Sequence, residues 1–188
     1  MTLLKYTLLV TLLTPVAVLA FFKPLKIVQP TRAGVECVES WLCIDDLNSL
    51  NKARSLYKAG FKQVQSKLSA FDSRPLFVFC TTPQCFSEFG FTSQAANSIG
   101  SLGVVVAPRG WKPHYIEHEL IHQWQSQRFG ALSTWLADDW LTEGMAYSLS
   151  DAPREVLNQP FEAYRSRYNE AYGKLRGDAL ISQFESDM

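Results

Sequence analysis

The 188-residue chain has no charge surplus, because 18 Lys and Arg stand against 18 Asp and Glu. Without a basic excess, nothing electrostatic favours nucleic acid, a polyanion or an anionic membrane surface as partner. It also lacks internal repeats, low-complexity tracts and long charge runs, which argues against a solenoid or a disordered tail. Histidine is scarce, with three residues in all, and cysteine is limited to four. What is abundant is apolar: a hydrophobic share of 47% is too high for a disordered chain. The length suits one compact domain and is short for two.

The first 22 residues carry one charged side chain, Lys5, ahead of the apolar run from Tyr6 to Phe22. A basic start, an apolar centre broken by Pro15 and the small-residue stretch Val18-Leu19-Ala20 fit a secretory signal peptide. The same run is at the lower limit of a membrane span, so an uncleaved anchor is the other reading. Either sends residues 23–188 out of the cytoplasm, to the periplasm or cell envelope, with possible attachment to the inner membrane through residues 6–22. The cysteines agree with export. Cys37 and Cys43, then Cys80 and Cys85, read first as two local disulfides, although four cysteines allow three pairings. A structural zinc site of four thiolates is the rival reading.

Along the chain, Phe22 to about Ile44 reads as irregular. Apolar residues from Leu47 to Phe71 recur at steps of three and four and predict an amphipathic helix. Leu76 to Cys80 reads as a buried strand, Cys85 to Phe89 as a short helix, and Gly100 to Ala107 as a second strand with a β-branched centre. Pro113 opens a helix that should run to Phe129 and stop at Gly130. After a loop in which Asp138 and Asp139 can cap, a helix runs from Trp140 to about Ser150. A last helix is outlined from Leu157 to Leu175. The expected fold class is therefore a small α+β domain with a short sheet.

All three histidines fall within nine residues, at His114, His118 and His122. The last two frame His118-Glu119-Leu120-Ile121-His122, an HExxH pattern expected by chance about 0.0025 times in a chain of this composition. Residues four apart on a helix share a face, so both imidazoles can meet one metal ion, while Glu119 can act on water as a general base without coordinating. His114 lies roughly 12 Å from His122 along a helix axis and cannot join the same ion. Twenty residues separate His122 from Glu143, which lies within Trp140-Leu141-Thr142-Glu143-Gly144-Met145-Ala146-Tyr147. Two histidines and a glutamate are an established catalytic zinc set that leaves one position open. Asp138 or Asp139 as third ligand is the alternative, set against their fit to the helix cap. Four of the five tryptophans, at 111, 124, 135 and 140, read as core or interface residues.

On these residues the chain resembles the gluzincin branch of zinc metallopeptidases, and in particular the small peptidase-MA-like domains of exported bacterial proteins. The resemblance spans about Leu47 to Leu149 and is strongest from Trp111 to Tyr147. It implies a zincin-like fold, Zn2+ held by His118, His122 and Glu143, and Glu119 as the base that activates water against a peptide bond. It also implies that Leu102 to Ala107 is an edge strand holding an extended peptide by strand addition. The HExxHxxGxxH pattern of metzincins is absent, since Gln125 and Arg128 replace its Gly and His. Where related enzymes carry an acid four residues after the ligand glutamate, this chain has Tyr147, whose phenol can substitute as support for a zinc histidine. The residue stabilising the oxyanion is open among His114, Tyr115, Tyr164, Tyr168 and Tyr172. The expectation is a zinc-dependent peptidase acting on a peptide or protein substrate; the alternative is a catalytically inactive, peptidase-like interaction module of the cell envelope.

Overall fold

The computed structural model describes residues 23–153 and 155–187. The leader, read as signal peptide or membrane anchor, lies outside them. No helix among the described residues is long and apolar enough to cross a membrane.

The protein is a mixed α+β domain built on a five-stranded sheet of order β1-β2-β3-β5-β4. β1 (Glu36–Glu39) and β2 (Leu42–Ile44) form an antiparallel hairpin closed by the Cys37–Cys43 disulfide. This hairpin replaces the irregular stretch expected before Ile44; a strand of only three or four residues leaves too little alternation to read. α1 (Leu50–Lys67) then crosses over to β3 (Phe77–Phe79), which runs parallel to β2. α2 (Pro83–Glu88) follows, capped by the Thr82 hydroxyl and tied back to β3 by the Cys80–Cys85 disulfide. Both local pairings expected from the spacing are thus present.

β4 (Ala96–Ile99) and β5 (Gly103–Val106) form the second hairpin, with β5 parallel to β3. Here the sequence reading needs correction. Leu102 to Ala107 is not an edge strand, because β5 lies between β3 and β4, and β4 is the edge. The Gly100–Leu102 stretch is the hairpin turn, where Gly100 has φ +49° and Gly103 φ +146°, a conformation that L side chains rarely adopt. β4 escaped notice because Ala96, Asn97 and Ser98 are poor strand formers, held by pairing with β5 rather than by propensity.

Alternate residues of the central strands face opposite sides. Phe77, Phe79, Val104 and Val106 join the larger core with Tyr57, Ile116, Leu120, Trp124 and Met145. Val78, Val105 and Cys80 face the smaller one with Ile27, Phe86 and Phe89. This two-sided burial explains why both strands are apolar throughout. α3 (Pro113–Phe129) lies on the larger core with Ile116, Leu120, Ile121 and Trp124 inward; Pro113 opens it and Gly130 closes it, as expected. α4 (Ala131–Leu136) occupies the predicted loop before α5 (Asp139–Leu149). The predicted final helix is shorter, α6 (Phe161–Tyr172), and α7 (Gly177–Asp187) follows it unforeseen. α6 packs closely on α5 at Gly144, where an added Cβ would lie 2.6 Å from the Tyr164 carbonyl oxygen.

Candidate metal centre

α3 buries an unusual set of polar side chains for a core helix: Glu117, Glu119, Gln123, Gln125 and Ser126. Buried polar groups are costly unless partnered, so their concentration marks one stretch of α3 as more than packing. One turn apart on it, His118 and His122 bring their Nε2 atoms to 3.1 Å of each other. Glu143, from the second turn of α5, meets both: Oε2 is 3.4 Å from His118 Nε2 and Oε1 is 3.3 Å from His122 Nε2. Among the described residues these three form a group whose donor atoms all lie within 4.8 Å of one another, and such a group could hold a metal ion.

The electrostatics follow from this convergence. Burial opposes a charge on His122, but hydrogen bonding to Glu143 and its charge, with smaller help from Glu119 and Gln125, raise its pKa to about 9. Burial likewise opposes ionisation of Glu143, yet hydrogen bonds from His118 and His122 outweigh it and hold the carboxyl well below the usual range. The two shifts together favour a carboxylate on Glu143 beside a protonated imidazole at His122. That is the charge arrangement a cation would replace.

The cluster opens into a cleft of about 750 Å³ lined by Glu119, His114, Tyr115 and Tyr147, and on one wall by Ala96, Asn97 and Ser98 of the edge strand. Glu119 thus lines the cleft beside the cluster without belonging to it, the relation a general base would need. The Tyr147 ring stands edge-on to His118 at 4.5 Å between centroids and packs on Phe161 at 5.1 Å. His114 lies against Tyr115, with ring centroids 4.3 Å apart, on the cleft wall and outside the three-residue group. Of the tyrosines eligible as oxyanion helper, Tyr168 and Tyr172 are buried in the core, and the Tyr164 hydroxyl donates to Asp139 at 3.4 Å. His114 and Tyr115 are the eligible residues that line the cleft. The Asp138 and Asp139 alternative does not join the rings: the Asp138 carboxylate accepts from the Trp140 indole at 3.1 Å, and the acid that converges is Glu143.

Trp124 is buried and Trp111 donates to the Cys80 carbonyl at 2.9 Å, but Trp135 is 78% exposed at the cleft rim, which places it outside the core. Two glutamines were not singled out from the sequence. Gln123 donates to the carbonyls of Gly100 at 2.6 Å and Gly103 at 3.3 Å, fixing α3 to the β4–β5 turn. Gln125, completely buried, bonds His122. Their signal was present as polar residues one and three positions after the second histidine, on a helix otherwise seated in the core.

Comparison of the chain with family profiles, curated proteins and solved structures returns no match.

Proposed function

We propose that the protein is a zinc-dependent peptidase of gluzincin type, with a zincin-like arrangement of its active-site helices. The observation that carries the reading is the arrival of Glu143, from a separate helix, within 3.4 Å of both HExxH imidazoles. Ligands of a tetrahedral zinc ion, each about 2.0–2.1 Å from the metal, are separated by about 3.3–3.4 Å. The separations of 3.1, 3.3 and 3.4 Å, the last two to different oxygens of the Glu143 carboxylate, are close to that edge length, and two imidazole nitrogens with a carboxylate suit zinc's preferences. The cleft supplies the open side.

Zinc, when bound, supplies Lewis-acid activation of water and of the scissile carbonyl. The chain's own residues do the rest. Glu119 takes the proton from the attacking water and passes it to the departing amine. Ala96, Asn97 and Ser98, on the free edge of the sheet, can hold an extended peptide by strand addition. Tyr147, which lines the cleft, supports the His118 ring through its edge contact. Two disulfides point to an oxidising, exported environment; attachment to the inner membrane rests on the leader alone.

Purified protein should contain about one zinc per chain and lose it when His118 and His122 are both replaced by Ala. Glu119→Gln should retain the zinc and lose peptide-library hydrolysis by about 100- to 10,000-fold. Full metal in the double-histidine variant overturns the ligand assignment. Zinc in the wild type without chelator-sensitive hydrolysis would instead identify the interaction module.

A further inference from the structure

Gln125 has a hydrogen-bonding pattern whose direction is fixed. Its Nε2 donates to the Thr142 carbonyl oxygen at 3.0 Å and lies 3.3 Å from Met145 Sδ. A carbonyl oxygen can only accept, so the amide nitrogen must face α5 and the amide oxygen must face α3. That oxygen lies 2.9 Å from His122 Nδ1. An amide oxygen can only accept too, so Nδ1 must carry a proton and donate. Once the ring gives up its second proton, as a metal ligand must, the remaining N–H stays on Nδ1 and the lone pair falls on Nε2, the atom that faces His118 and Glu143. Gln125 is inaccessible to solvent, so no water competes for these bonds.

From this polarity we infer that Gln125 is the positioning residue of the metal centre: it selects the His122 tautomer that presents Nε2 to the cation and holds the α5 backbone at Thr142, the residue before Glu143. One side chain thereby sets a ligand on each of two helices. The inference rests on the proposed metal site, but concerns a residue outside the ligand set. Its physical basis is that a fixed partner on the far nitrogen orients a ligating imidazole and raises its basicity. Gln125 is fully buried, so solvent has no access to take the place of its amide.

The test compares wild type with Gln125→Leu, which keeps the approximate volume and removes both polar ends, and Gln125→Glu, which keeps an acceptor for His122 but, once ionised, cannot donate to Thr142. Zinc affinity is measured by chelator competition, and the His122 ring nitrogens are observed by 15N NMR in the zinc-loaded proteins. Gln125→Leu should bind zinc about 10- to 100-fold more weakly. Its His122 resonances should lose the hydrogen-bonded Nδ1–H signature, while Gln125→Glu should retain that signature and recover part of the affinity. Thermal unfolding of the metal-free proteins identifies any variant that fails to fold; the ring signature in Gln125→Glu then decides alone. Wild-type affinity with an unchanged His122 signature in Gln125→Leu overturns the inference and leaves the metal site standing. Failure of wild type to bind zinc removes the site itself.

Discussion

Glu117, one residue before His118, has its carboxyl buried with Lys67 as a cation 3.9 Å away. Burial pushes its pKa up to about 7; Lys67 opposes the shift and Asp151 adds to it. A carboxyl raised above its unfolded value binds protons more tightly in the folded chain. It therefore costs no stability below the unfolded pKa of about 4.3, and its penalty grows until it is complete above about pH 7. Glu117→Gln should then stabilise the protein by about 1–3 kcal/mol at pH 8 and change little at pH 4, read from urea unfolding at both values. Equal effects at the two pH values would refute the assignment. His122 has the opposite charge type: in the metal-free protein its raised pKa contributes stability that is full below about pH 6.5 and is lost as pH rises through about 9. The convergence of His118 and His122 could be read directly from the sequence, because i,i+4 spacing on a helix is a geometric constraint that needs no tertiary information. Gln125 could not, since its role depends on a backbone carbonyl seventeen residues further along the chain.

Between α5 and α6, the backbones approach closely at Gly144. Besides the Tyr164 carbonyl, an added Cβ there would lie 2.8 Å from the Tyr168 Cβ. Gly144→Ala should push α6 away from the helix carrying Glu143 and cost about 1–3 kcal/mol, seen as a lower midpoint in thermal unfolding. Because Glu143 is the adjacent residue, the same variant should also weaken zinc binding; unchanged stability and affinity would show that α5 and α6 separate freely. The longer helices were legible because their apolar periodicity extends over several turns. α4 was hidden for the opposite reason: Leu132, Trp135 and Leu136 face water, so its pattern follows no buried face. β1, β2 and β4 are too short for alternation to register, and pairing with neighbouring strands creates them.

For the molecule as a whole, the α+β class and both local disulfides were readable, whereas the strand order was not, because it depends on contacts remote in sequence. Each disulfide closes a short loop, with sequence separations of 6 and 5. Loop-closure entropy assigns about 2 kcal/mol to each, so reduction should lower the unfolding midpoint without abolishing the fold, which retains two apolar cores. Complete unfolding on reduction at 25 °C would show that the cross-links, rather than the cores, hold the chain together. With its raised pKa, a protonated His122 adds one unit to the charge of the metal-free molecule. At neutral pH a divalent ion entering the centre must evict that proton, so metal uptake is an exchange that raises the charge by one unit, not two. A weakly buffered solution of the metal-free protein should accordingly acidify as zinc is titrated in, by about one proton per chain, and the acidification should fade above about pH 9.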